Sequence, residues 1–180
     1  MEISFITGNE NKFAEARKII PSLRRIEMDL PEIQELDARK IIREKLREAG
    51  KSFREAMVVE DTSLELKCLN GLPGPFIRWF QEKLGNQGLF EIASKSGLFD
   101  AKAVLWLGFM DPQRKIRFFN STLNGKIVSP KGTLGFGWDP IFKPQGHLCT
   151  LAEMTLRQKN EISMRAKAFN KLKEFLATST

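Results

Sequence analysis

Two adjacent carboxylates, Glu60 and Asp61, follow the apolar pair Val58 and Val59 in the stretch VVEDTS. Like charges side by side raise each other's pKa and resist leaving water, so a buried strand ending in such a pair calls for a counter-charge. A divalent cation is one answer. Mg²⁺ takes one or two carboxylates together with waters and phosphate oxygens, and Glu32 of DLPEIQ would be a further donor. The structural answer turns one acid to water and the other to a neighbouring Lys or Arg.

A second cluster, FITGNENKF, runs from Phe5 to Phe13. A strand that ends in Thr7, Gly8 and Asn9 and feeds a helix offers free backbone N–H groups and a positive helix end, a natural anion site, with Lys12 adding a mobile charge. The same residues also suit an ordinary turn in which Gly8 supplies a backbone conformation and Asn9 a cap. No Walker loop is present.

In GTLGFGWDPIFKP, from Gly132 to Pro144, Phe136 and Trp138 offer ring faces for a flat ligand. The glycines, Gly137 among them, let the backbone come close, and Asp139 can accept hydrogen bonds from ring N–H groups. A glycine-rich hairpin with core aromatics reads equally well. In AEMTLRQKNEISMRAKAF, Lys159 and Ser163 sit one helical turn apart with Arg165 just beyond, which alone describes a solvated helix face.

These residues need an α/β frame. Ile3 to Thr7 reads as a short buried strand and NKFAEARKII as a helix with Phe13, Ala16 and Ile20 on one face, capped by Asn9 or Asn11 and stopped by Pro21. A second strand is expected around Arg25 to Leu30. Asp37 caps a long helix whose Ala38, Ile41, Ile42, Leu46, Ala49 and Phe53 fall at helical spacing. Met57 to Glu60 is read as a strand, followed by a separate half-exposed strand through Leu64 and Leu66. Two helical stretches separated by GNQG lie between GLPGP and Gly97. Ala101 to Val128 reads as a meander with turns at DPQRK and NGK. One helix is expected from about Thr155, with Ile162, Phe169, Leu172 and Leu176 along one side. The fold class is α/β with a mixed sheet, in one domain spanning 1–180.

The chain carries 29 Lys and Arg against 22 Asp and Glu, a net charge of +7 that favours anionic partners. The basic residues alternate with acids along the helices instead of forming a stripe, so no stable nucleic-acid partner is expected. No stretch has the uncharged length of a membrane span and no signal-peptide pattern opens the chain, so a soluble, cytoplasmic protein is expected. Cys68, Cys149 and the single His147 form no zinc or disulfide framework, and both cysteines are expected to pack as small apolar residues.

Together TGNENK, DLPEIQ, VVEDTSLE, LNGLPGPFIRWF, GFGWDPIFKP and AEMTLRQKNEIS, in this order over nearly the whole chain, resemble the inosine triphosphate pyrophosphatase family, the Ham1-like non-standard purine NTP pyrophosphatases. The resemblance implies an elongated two-lobed fold around a long mixed twisted sheet with flanking helices and an active-site cleft between lobes, usually as a homodimer. It implies Mg²⁺-dependent hydrolysis of inosine, deoxyinosine and xanthosine triphosphates to monophosphate and pyrophosphate. Thr7, Gly8, Asn9 and Lys12 would then bind the triphosphate. Glu32 and Asp61 would hold the metal with Glu60 nearby, and Asp61 would be the proton acceptor. Thr62 would touch the substrate, Phe136, Gly137, Trp138 and Asp139 would surround base and sugar, and Lys159 would complete the pocket. Arg78, in a segment similar to the family's dimer-forming helix, is a further candidate, and Lys40 and Lys45 on the second helix could also reach phosphate, with nothing in the resemblance to choose between them.

One position departs from the pattern. Where the family reads Ser-His-Arg, this chain has Ser163-Met164-Arg165. Methionine cannot donate the hydrogen bond through which the histidine helps recognise a 6-keto group. Either Arg165 takes over recognition or base selectivity is relaxed; retained activity with reduced discrimination is the expectation. Two other readings remain: a Maf-like pyrophosphatase acting on other nucleotides, and a nucleotide- or nucleic-acid-binding protein without catalysis.

Overall fold

The computed structural model describes residues 2–178. Seven strands form a mixed sheet: β1 (Ile3–Ile6), β2 (Leu23–Ile26), β3 (Ala56–Leu66), β4 (Pro73–Gly74), β5 (Asp100–Met110), β6 (Ile116–Ile127) and β7 (Phe142–Pro144). Their order is β2-β1-β3-β5-β6-β7, with β4 paired to β3. β1 runs parallel to both β2 and β3, whereas β3 with β4 and β6 with β7 are antiparallel. Among the described residues five α-helices accompany them: α1 (Glu10–Arg17), α2 (Ala38–Ser52), α3 (Ile77–Ser96), α4 (Leu156–Ile162) and α5 (Met164–Thr178).

The chain divides into two compact units, one of residues 1–61, 105–121 and 165–180, the other of 62–104 and 122–164. The first is built on the apolar stripe of α2. Ile42, Leu46 and Ala49 pack with Ile6, Met57, Val59 and Met110, and Phe53 joins from the helix end. In the same unit α5 sets Phe169 against Phe5, with ring centroids 5.4 Å apart. In the second unit Trp138 packs edge-on to Phe142 at 5.4 Å. Cys68 and Cys149 are free and only half-buried.

Several expected elements take a different form. The second strand is β2, ending at Ile26, so it starts earlier and stops well short of Leu30. Met57 to Glu60 and the Leu64–Leu66 segment are one strand, buried at nearly every position, which leaves Glu60 and Asp61 in its middle and not at an end. The NGK stretch is no turn. Gly125 continues β6 opposite Pro144, and a Cβ there would meet the Lys143 carbonyl at 2.5 Å and the Phe142 ring at 2.6 Å, so the glycine answers to tertiary crowding. The C-terminal helix is two helices, broken at Ser163, whose ψ of 149° is extended. By contrast, the break expected at GNQG falls at Gly85, whose φ of 64° and ψ of 179° interrupt α3.

Candidate active site

The first unit gathers a network of buried charge. Asn9 caps α1, its side chain accepting from the Lys12 amide at 3.1 Å, while the Asn9 amide donates to Thr7 Oγ1 at 3.1 Å. Both polar side chains thus hold the loop in shape. Arg25 of β2 clasps it from outside, donating from Nε to the Thr7 carbonyl at 3.2 Å and from Nη1 to Glu10 at 2.9 Å. Gly8 does not supply an unusual conformation, because its φ is not positive, and a Cβ there would meet nothing within 4 Å. Nothing in the fold itself excludes a side chain at Gly8.

Successive residues of a strand point to opposite faces, and Glu60 and Asp61 are accordingly neutralised by different partners. Glu60 receives Arg165 in a two-pronged pair, Nε to Oε2 at 2.9 Å and Nη2 to Oε1 at 2.8 Å, and Lys12 Nζ lies 3.2 Å from Oε1. The other arm of Arg165 reaches Glu15 of α1 at 2.5 Å. Burial alone would raise the Glu60 carboxyl, but the charges of Arg165 and Lys12 outweigh it and hold the group down at about 2. Burial likewise opposes the charge on Arg165, and the two glutamates override it upward.

Asp61 meets Lys45 of α2 instead. Lys45 Nζ donates to Asp61 Oδ1 at 3.2 Å and to Glu32 at 3.0 Å, bridging the two carboxylates. Asp61 Oδ2 is buried and has no hydrogen-bond partner. Desolvation, only partly offset by Lys45 and Lys12, pushes the Asp61 carboxyl above its ordinary range. A buried acid with one free oxygen and a raised pKa is suited to accept a proton or to meet a cation. The Asp61 and Glu32 pair therefore fits a hard metal that brings its remaining ligands as water and phosphate. Glu60 does not fit that role, since Arg165 and Lys12 occupy it. Among the described residues no three acidic, histidine or cysteine side chains converge as a ready metal cage.

The second unit holds the remaining candidates. Asp139 is buried, its Oδ2 accepting from the Phe136 amide at 2.9 Å and from Lys159 Nζ at 2.5 Å. Lys159 Nζ also lies 4.5 Å from the centroid of the Phe136 ring. Gly135 is required here, because a Cβ would meet Asp139 Oδ2 at 2.5 Å. Gly137, with φ of 61°, offers its carbonyl to Asn86 Nδ2 at 3.0 Å. Trp138 is buried, so its ring serves the core, while Phe136 is only half-buried. Thr62 is half-buried on β3, and Met164 is buried at the start of α5. Arg78 is exposed, paired with Glu82 at 2.9 Å and stacked over Trp79.

The segment carrying Lys159 and Arg165, which taken alone reads as a solvated helix face, buries both residues, and the helix breaks at Ser163 between them. Arg165 does not present its fork to a ligand, being closed on Glu15 and Glu60. Sequence reasoning missed Glu15 and Arg25 and left Lys45 unchosen beside Lys40, which is exposed and paired with Glu35 at 2.8 Å. Lys45 carried a readable signal: it lies one turn after Ile41 and one before Ala49, inside the apolar stripe.

The fold and this network define a class, an α/β protein that pairs a strand-to-helix loop with a buried acid–lysine cluster suited to a phosphorylated ligand and a hard cation. The Ham1 family model matches residues 3–175, and the chain belongs to the Ham1 family. It is 38% identical over 178 residues to an inosine triphosphate pyrophosphatase of Schizosaccharomyces pombe, covering 97% of this chain and 94% of that protein. It is 42% identical to one from Emericella nidulans, covering 97% and 96%. A Ham1 protein from Coxiella burnetii superposes with a TM-score of 0.82 at 25% identity, covering 99% of both chains. A nucleoside-triphosphatase, dITP/XTP pyrophosphatase, from Mycobacterium abscessus does so at 0.70 and 28% identity, covering 96% and 98%.

Proposed function

We propose that this protein hydrolyses non-canonical purine nucleoside triphosphates, those of inosine, deoxyinosine and xanthosine, to the monophosphate and pyrophosphate. The observation that carries the reading is likeness over 97% of the chain to relatives named inosine triphosphate pyrophosphatase. The whole of 1–180 acts as one functional domain in this reading.

Cleavage between the α and β phosphates needs the chain positioned, the leaving pyrophosphate neutralised and a water aligned for attack. Lys12, steadied by Glu60 yet still partly exposed, is placed to meet phosphate beside the first amides of α1. The open space around Gly8 lets phosphate oxygens approach the backbone. Asp61 accepts the proton of the attacking water through Oδ2, while Lys45 fixes the carboxylate through Oδ1. Asp61 and Glu32 would hold a divalent cation, Mg²⁺ in this proposal, which when bound supplies charge neutralisation on the phosphates. Arg165, Glu15 and Glu60 act behind Lys12 as positioning residues.

Phe136, Gly137 and Asp139, with Lys159, surround base and sugar in this reading. Because Arg165 is committed to two glutamates and Met164 offers no donor, discrimination against a 6-amino base is weakened. A homodimer in the cytoplasm completes the proposal; the exposed Leu72, Trp79 and Leu84 give the Arg78 region apolar surface for a second copy. Hydrolysis of inosine triphosphate in ¹⁸O-labelled water tests the chemistry. Label in the monophosphate supports attack at the α phosphorus; label in pyrophosphate, or release of orthophosphate, overturns it.

A further inference from the structure

A cavity of about 840 Å³ in the second unit is lined by none of the residues assigned above. Its wall includes Glu65 of β3, Lys102 of β5, Lys126 of β6 and Lys143 of β7. Lys126 and Lys143 stand directly opposite each other across the antiparallel β6–β7 pair, so both point to one face. The next pair along, Ile127 and Phe142, is buried on the other face.

Like charges directly opposed across two strands destabilise the pairing. The other cavity lysines are compensated, Lys102 by Glu65 at 2.8 Å and Lys67 by Asp100 at 3.2 Å. Among the described residues Lys126 and Lys143 have no acidic partner. The strands are also held close together, since the tight fit at Gly125 leaves no room for even a methyl group between β6 and β7. Two ammonium groups with six N–H donors are therefore presented side by side at the wall of a small-molecule-sized cavity, with the single histidine, His147, on its lining.

We propose that this cavity is a second anion site, taking a diphosphate or triphosphate group either as an inorganic ion or as the tail of a nucleotide. A compact anion fits better than a polynucleotide, because the excess positive charge is confined to the Lys126–Lys143 pair in one bounded cavity, the other lining lysines being matched by Glu65 and Asp100. Its negative charge relieves the repulsion that the fold leaves standing between Lys126 and Lys143.

The test is titration of ¹⁵N-labelled protein, without metal, with inorganic pyrophosphate and with adenosine diphosphate. The site predicts saturable shifts of the Gly125, Lys126, Lys143 and Gly146 amides that persist in Lys12→Ala, which separates them from the candidate active site. Affinity there should fall about tenfold or more in the Lys126→Ala, Lys143→Ala double variant, whose melting temperature should stay level or rise. Shifts from pyrophosphate alone, or from both ligands, support the site and tell whether a nucleoside is accepted. Absence of shifts at these amides with both ligands, or equal affinity in the double variant, overturns the proposal.

Discussion

Replacing Glu60 by glutamine removes the charge around which Lys12 and Arg165 are arranged while keeping the shape of the side chain. The Glu60 carboxyl is held from its ordinary 4.5 down to about 2, and this displacement is worth about 3 kcal/mol of folding stability at pH 7. The same loss, seen from the other partner, leaves buried Arg165 paired to Glu15 without Glu60, so it is counted once. In a 180-residue chain this corresponds to a fall in melting temperature of about 10 °C. Because the folded pKa is depressed, the stabilisation is complete above pH 4.5 and is lost as the pH falls through 2. At pH 3 the unfolded carboxyl is mostly protonated and the folded one still ionised, so about half the difference should remain. Thermal melts of both proteins at pH 7 and pH 3, with the exposed Glu91→Gln as a control, measure it. A loss below about 1 kcal/mol at pH 7, or a gap that is the same at both pH values, would show that Glu60 is not held ionised by Lys12 and Arg165.

Gly8→Ala should leave the melting temperature unchanged, since a Cβ there meets nothing within 4 Å, but raise KM about tenfold if phosphate packs against that backbone; an unchanged KM would remove Gly8 from the binding loop. Asp61→Asn should keep the far-ultraviolet circular dichroism and lower kcat about a hundredfold or more; near-normal turnover would assign the base elsewhere. Met164→His should raise the ratio of kcat/KM for inosine over adenosine triphosphate about fivefold or more, and a constant ratio would free Met164 of any part in selectivity.

What the residues disclosed in advance was local. The Asn9 and Asp37 caps, the α2 stripe and the interruption at Gly85 follow from spacing within a few residues, and the structure has each of them. β3 was harder to read, because Glu60, Asp61 and Thr62 interrupt an apolar run, and their burial depends on partners elsewhere in the chain. Arg165 is 105 residues from Glu60, and no pattern near either announces the pair. Gly125 resembled a turn residue because its reason for being glycine is the neighbouring strand. The break at Ser163 was hidden for a similar cause: the helical spacing continues across it, while the backbone turns to send Lys159 to Asp139 and Arg165 to Glu60. Of the candidate residues, Thr7 to Lys12 and the Glu60–Asp61 pair stood out by type and position. Glu15 and Arg25 became visible only through the groups they hold.

The most direct measurement is pyrophosphate release, with Mg²⁺, from inosine, xanthosine, adenosine and guanosine triphosphates side by side over a range of concentrations. Release is expected from inosine and xanthosine triphosphates, with adenosine and guanosine triphosphates slower but still hydrolysed. Absence of pyrophosphate from inosine and xanthosine triphosphates would contradict it.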